Sequence, residues 1–484
     1  MAHPGLTLRQ RPFVDYSTRL VSADAAQLTL SFVRQMFRAV WPSKSGCKWK
    51  LPAVFCIFVR HFFWVTLFMS SLTESHLAAA QSAEAQSEFD DIRPYNDNEV
   101  RPTIARLIGD NEFVDTVARL KFPTLSKFAA PLLRPVVRAA LRHETADVAT
   151  VDNFQQRIEK YMRRLLDRTV TELTVSGLEY LTQSRAYCFV SNHRDIAMDP
   201  AFVNWTLYHN GFQTLRIAIG DNLLTKPFAS DLMRLNKSFI VNRSATAPKE
   251  KLRAARKLSA YIHHSVVNDN ANIWIAQREG RAKDGVDKTN PAIISMLAMS
   301  RAKTETLGDY LSRANIVPVS ISYEWDPCDA DKARELTILK RDGRYVKGEH
   351  EDVRSIAKGI SGFKGRVHLA FGEPLSPAIT TVDEAVAVMD DAIIDNYVLH
   401  ASNCVAYEMI EGKAPDVIVG VKGVPFAEID ASAARRMLKA RLEACDPEWR
   451  DMMLRIYANP VYTKLHTLQE SDFTESDDRP AAQA

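Results

Sequence analysis

From Thr169 to Phe371 short apolar runs alternate with helical stretches, and no other feature of the 484-residue chain limits its fold so much. Thr169–Val175, Tyr187–Ser191, Leu215–Ile219, Ser238–Asn242, Asn272–Ala276, Ile316–Tyr323 and Val367–Phe371 read as strands. Between them, Pro200–His209, Pro227–Leu235, Lys249–Val267 and Pro291–Ala302 read as helices. Strands alternating with helices predict an α/β fold: a mixed, mainly parallel sheet covered by helices, with flanking helical regions. The functional residues of such a sheet are expected where strands end and loops begin.

The length implies two to three units at about 150 residues each. Residues 1–88 read as a poorly ordered or membrane-anchoring extension with a linker, and 89–168 as a helical region. The α/β domain is expected over 169–380, a C-terminal helical region over 381–470 and a disordered polar tail over 471–484. Leu51–Leu72 is long enough to span a bilayer, but Arg60 and His61 sit near its middle. A central Arg costs about 2.5–3.5 kcal/mol on insertion scales. The stretch therefore reads in three ways: an anchor, part of an Arg-rich targeting segment, or sequence upstream of a true start near Met69. A cleaved secretory signal is disfavoured, because the apolar run begins about fifty residues in. In Phe122–Arg142, Arg134, Arg138 and Arg142 recur every fourth residue and Lys127 precedes them. That stripe fits an in-plane membrane helix or a core helix with a basic edge.

Hydrophobic residues at 46% and charged residues at 25% are ordinary for a globular chain. A net charge of +3 is too small to argue for nucleic acid. Cys47, Cys56, Cys188, Cys328, Cys404 and Cys445 lie far apart with no C-x-x-C pair. They read as buried thiols in a reducing compartment, not as a zinc site or disulfide framework.

Four blocks carry chemistry. In Val190–Pro200 (VSNHRDIAMDP) a strand runs into a turn bearing His193, and a helix starts behind Asp199–Pro200. A histidine at a strand end suits a general base, provided a carboxylate fixes its tautomer. Asp199 and Asp195 both qualify, although Asp–Pro is also a common helix start. In the second block a strand delivers Arg243, whose forked donors can grip phosphate. The third, Trp274–Gly285 (WIAQREGRAKDG), ends a strand in a charged turn with Glu279, Gly280, Arg281 and Lys283. Gly280 permits the turn and close backbone approach. Arg281 and Lys283 can neutralise a phosphate. The fourth, Ile316–Trp325 (IVPVSISYEW), holds Pro318, which implies a sheet edge, a bulge or a strand start, and is expected to shape an acyl-chain wall.

In this order the blocks resemble the glycerolipid acyltransferase superfamily, specifically its glycerol-3-phosphate and 1-acylglycerol-3-phosphate acyltransferases. Asn192–His193 with the downstream Asp is similar to the family's first motif, and Asp199–Gly211 to the segment that follows it. Block two resembles the G-x-N-L…F-F-I-R-R element and block three the E-G-x-R-S element. Block four, with Tyr323–Glu324 and Ala333–Leu336, resembles the P-x-x-x-x-Y-E element. Arg366–Leu375 looks like the closing strand. The likeness covers about 170–380. Two departures stand out. The family leaves four residues between His and Asp, whereas here five separate His193 from Asp199 and one separates it from Asp195. Block three is one residue shorter between Glu279 and Arg281.

The resemblance implies direct acyl transfer. His193 takes the acceptor hydroxyl's proton, Asp199 holds His193, and the oxygen attacks the thioester of acyl-CoA or acyl-ACP. Arg243, Arg281 and Lys283 would hold the acceptor phosphate, with Glu279 ordering them and Gly280 and Pro318 shaping the site. No metal or other cofactor is needed. The expected partners are membrane lipid, acyl-CoA or acyl carrier protein, and a small phosphate-bearing acceptor, at the cytoplasmic face of a membrane. A catalytically inactive lipid- or membrane-binding protein on the same fold is the alternative. His193–Arg194–Asp195 also spells a kinase H-R-D, but Pro200 stands where a kinase needs Asn. No G-x-S-x-G elbow supports a hydrolase.

Overall fold

The helices begin where the sequence supplies caps. The Asp110 side chain accepts the Phe113 N–H ahead of Asn111–Lys121 (α2), and Thr150 accepts that of Asn153 ahead of Val151–Thr169 (α4). With Asp97–Gly109 (α1) and Ser126–Glu144 (α3) these form the helical region before the sheet. The computed structural model describes residues 88–465 apart from 123, 124, 225 and 349. The expectations for Leu51–Leu72 and for the polar tail lie outside the described residues. Among the described residues no helix is long and apolar enough to cross a membrane.

The basic stripe of α3 is partly explained by packing within the chain. Arg134 makes two bonds to Asp115, at 2.8 and 2.7 Å, and Arg138 reaches the Ile108 carbonyl at 3.0 Å and the Asn111 side chain at 2.7 Å. Leu132 and Val136 of the same helix stay exposed.

Seven strands form one sheet in the order β1-β7-β6-β2-β5-β3-β4. Their ranges are Val170–Ser176, Cys188–Ser191, Arg216–Gly220, Ser238–Val241, Ile273–Ala276, Ile316–Tyr323 and Gly365–Phe371, for β1 to β7. Every pairing is parallel except β6 with β7. The mainly parallel expectation therefore holds. Successive strand residues point to opposite faces, so each central strand feeds two cores. Cys188, Val190, Ile273, Ile275 and Ile316 enter one, packed against Leu258, Tyr261 and Ile262 of Pro248–Val267 (α7). Phe189, Trp274, Val317, Val319 and Ile321 enter the other, against Phe202, Val203 and Leu207 of Met198–His209 (α5). A central strand buried on both faces has no polar alternation, which is why these runs read as continuously apolar.

Ala385, Met389 and Ile393 of Val382–Asp395 (α12) join the first core, although they lie past residue 380. The helices Asp329–Asp342 (α10) and Glu351–Ser361 (α11) separate β6 from β7. The sequence reading assigned neither. Leu336 of α10 shares a third core with Ala401–Glu411 (α13), Ser432–Ala444 (α14) and Arg450–Lys464 (α15). The α/β domain and the C-terminal helices are thus joined through common cores. A small hairpin, Ile418–Val419 with Val424–Pro425, interrupts the C-terminal helices.

Of the three settings expected for Pro318, the structure shows a position near the strand start. It is not on an edge strand, because β6 has a neighbour on each side. Cys188 N–H donates to the Asn315 carbonyl and Asn192 N–H to the Val319 carbonyl, so odd-numbered residues of this run face β2. Pro318 faces the other flank, where pairing with β7 begins only at Val319. Its missing N–H therefore breaks no rung, and its carbonyl still accepts the Gly372 N–H at 2.8 Å. The ring is buried against Gly372, where an added Cβ would come within 2.8 Å of Pro318 Cγ. Pro318 is part of the packed core.

Candidate active site

The parallel strands bring the blocks to one edge of the sheet. His193 follows the end of β2, Arg243 the end of β4 and Glu279–Lys283 the end of β5, and Tyr323 is the last residue of β6. All leave C-terminal strand ends, the usual location of a site on a parallel sheet.

The structure joins His193 to Asp199. The ring Nδ1 lies 2.7 Å from Asp199 Oδ2. The same oxygen accepts the backbone N–H of Arg194 at 2.6 Å and of Asp195 at 3.0 Å. The loop thus wraps around the carboxylate and absorbs the extra residue. Asp199 is fully buried, and its Oδ1 accepts the Tyr323 hydroxyl at 2.6 Å. Burial, and then the Asp199 charge, push the Tyr323 phenol well above its usual range, so it stays a proton donor. Trp274 packs edge-on to the His193 ring with centroids 5.5 Å apart. The other ring nitrogen, Nε2, is the free base position once Nδ1 is committed to Asp199.

Asp195 is occupied otherwise. Its Oδ1 accepts the N–H groups of Ala197 at 3.0 Å and Met198 at 2.9 Å, at the start of α5. Burial, then the neighbouring Asp199 charge, raise its carboxyl above the usual range.

The His193 loop is tied to the third block. The Ala282 N–H donates to the His193 carbonyl at 2.8 Å. Arg194 is buried and donates to Asp287 at 2.6 Å and to the Gly285 carbonyl at 3.1 Å. Asn192 donates to Asp287 at 2.9 Å and accepts the Ile321 N–H at 2.8 Å. The loop of the base and the loop of the basic residues are therefore one braced unit. Sequence reasoning missed Arg194 and Asp287 as a pair. Asp287 lies far from its partners along the chain and belongs to no motif, so nothing marked it.

The basic residues divide by partner. Lys283 forms a buried ion pair with Glu335 of α10. Arg243 lies 3.6 Å from Glu279, in a partly exposed pair too long for a hydrogen bond. Its backbone N–H donates to Asp221 at 3.1 Å. Gly280 takes a positive φ of 74°, a conformation that favours glycine. Arg281 is only 9% exposed, and its guanidinium makes no hydrogen bond or close ion pair among the described residues. Against the effect of burial, Lys332 and then Arg281 help to hold the buried Asp326 carboxyl below its usual range.

An α/β sheet that presents a histidine bonded to a buried carboxylate at its C-terminal strand ends has the arrangement of a general base. Residues 172–322 match the family model described as Acyltransferase. The comparison with curated proteins gave no match. Among solved structures the chain is similar to the 1-acyl-sn-glycerophosphate (LPA) acyltransferase, PlsC, from Thermotoga maritima. The identity is 16%, the match covers 61% of this chain and 94% of that one, and the TM-score is 0.29.

Proposed function

We propose that this O-acyltransferase moves a fatty acyl group from acyl-CoA or acyl-ACP to a hydroxyl of glycerol 3-phosphate or of a lysophospholipid such as lysophosphatidic acid. One observation carries the reading. The loop that presents the His193–Asp199 pair is bonded to the loop that presents a buried Arg281. A base and a cation held by one brace fit an acceptor with a hydroxyl and a phosphate a short distance apart.

In this reading His193 Nε2 removes the hydroxyl proton as the oxygen attacks the thioester carbonyl. The tetrahedral intermediate then collapses with loss of the thiolate, which takes the proton back from His193. Asp199 steadies the imidazolium and is itself held by Tyr323. Such a base contributes about 10²–10⁴-fold, and positioning of both substrates much of the rest. Arg281 binds the acceptor phosphate directly. Arg243 and Glu279 lie at its rim, and Lys283 supports the loop through Glu335. Acting on a lipid-forming acceptor places the chain at a membrane, with its cytoplasmic face as the proposed side.

The inactive lipid-binding alternative drew its motive from the extra residue before Asp199. The 2.7 Å contact to His193 removes that motive. The deciding experiment is thioester-dependent acyl transfer in detergent with glycerol 3-phosphate and lysophosphatidic acid in parallel, and His193→Ala as control. Transfer by wild type alone supports the reading and names the acceptor. Equal rates for wild type and variant overturn it.

A further inference from the structure

The fully buried positions of helix α11 hold only small residues. Its inner face is Ser355 and Gly359, both buried, followed by the half-buried Gly362. These small residues let the helix press on the loop that carries the base. A Cβ on Gly359 would stand 2.0 Å from Asp195 Oδ2, and one on Gly362 would stand 2.5 Å from Pro327 Cβ. The outer face holds Val353, Ala357 and Ile360, spaced i, i+4, i+7 on one stripe, with Phe363 just beyond. Val353 is 61% exposed, Phe363 41% and Val346, in the preceding loop, 81%. Isolated exposed apolar residues are unremarkable. Ile356 is the one large apolar residue of α11 that is half-buried. A helix that leaves Val353 and Ile360 exposed on one stripe while its buried positions are serine and glycine is different, because packing among the described residues does not cover that stripe.

The surroundings indicate what would cover the stripe. Residues 340–363 contain six basic and four acidic side chains. The side chains of Arg344 and Arg354 are exposed and make no close ion pair or hydrogen bond among the described residues, although Arg344 lies near enough to Asp342 to help, after Arg341, to hold its carboxyl below the usual range. An apolar stripe fringed by exposed cations is the composition of a helix lying in the interface of an anionic bilayer. We propose that the outer face of α11, with Val346 and Phe363, docks on an anionic lipid surface and so holds the His193 loop, on which its inner face rests, at the membrane. The proposal rests on the acyltransferase reading only for its purpose and not for its geometry.

The test uses the full chain with Val353→p-benzoylphenylalanine or Ile360→p-benzoylphenylalanine, irradiated with phosphatidylglycerol–phosphatidylcholine vesicles. The control is Met437→p-benzoylphenylalanine, an exposed site on α14. Lipid adducts at positions 353 and 360 but not 437 are expected. Adducts to a second copy of the chain, adducts equal at all three sites, or none would overturn the proposal. In parallel, Val353→Glu combined with Ile360→Glu should lower acyl transfer to vesicle-embedded acceptor about tenfold and leave transfer in detergent micelles unchanged. A fall in both media, or in neither, counts against docking. If wild type transfers no acyl group in either medium, the function reading fails, and the adducts still decide the docking surface.

Discussion

Tyr323 donates its hydroxyl to Oδ1 of Asp199 at 2.6 Å, while Oδ2 of the same carboxylate lies 2.7 Å from His193. The last residue of β6 thus steadies the partner of a base that follows β2. Tyr323→Phe removes one donor and leaves Oδ1 buried and unsatisfied, at a cost of about 1–3 kcal/mol. The expected outcome is a kcat about tenfold lower with little change in acceptor KM, because the base and not the binding site is disturbed. Steady-state kinetics in detergent, with unfolding curves as control, check it.

The two aspartates of the first block should separate cleanly. Asp199→Asn places an amide where three donors point and should lower kcat about 10²–10⁴-fold. Asp195→Asn keeps an oxygen for the Ala197 and Met198 N–H groups and should leave kcat nearly unchanged. Its stability effect has a definite sign. Because the Asp195 carboxyl is raised in the fold, its favourable contribution is present below the unfolded value near 3.9 and is lost as pH rises through the folded value. Asp195→Asn should therefore be more stable than wild type at pH 7, with the gap closing as pH falls toward 4. Thermal unfolding across that range would show it.

Arg281 and Lys283 should fail in different ways. Arg281→Ala removes a cation that makes no hydrogen bond or close ion pair among the described residues, so acceptor KM should rise about tenfold or more with little change in stability. Lys283→Ala strands Glu335 in a buried setting and should cost roughly 3 kcal/mol. Acceptor titrations and denaturant midpoints for both variants separate binding from support.

Two buried histidines give the fold an acid limb. Burial depresses the His400 ring to about 3, and the His368 ring, held between Thr174 and Ser176, to about 4. Both are neutral in the native state, so the stability they contribute is present above about 6.5, the unfolded value, and is lost as pH falls toward their folded values. Each should remove up to about 1.4 kcal/mol per pH unit in that window. Denaturant unfolding at stepped pH should show the slope, and His368→Gln should reduce it.

Gly359→Ala puts a methyl group against Asp195. Overpacking there should cost about 1–3 kcal/mol and lower kcat by displacing the His193 loop. Unchanged kcat in a folded variant would show that α11 does not brace that loop.

Much of the fold was legible locally. Strands buried on both faces have no polar alternation, so their apolar runs stand out, and β6 and the helix Pro227–Leu235 were read to the residue. Helices α10 and α11 were missed. The inner face of α11 is serine and glycine, so no buried apolar stripe announced it, and the large apolar residues that do recur face outward. The site was legible as residue types at strand ends: His193, Arg243, Arg281, Lys283.

The order of the elements, the strand ends that carry the chemistry and the presence of a base followed by acids are properties of the sequence, because they depend on neighbours along the chain. Which acid holds the base, which cation is tied to Glu335, and how Pro318 fits a central strand were decided by the tertiary structure. Each depends on contacts that only the sheet order creates. Asp195 and Asp199 are alike in sequence, and a loop wrapped around one carboxylate, with a tyrosine from another strand behind it, makes them different.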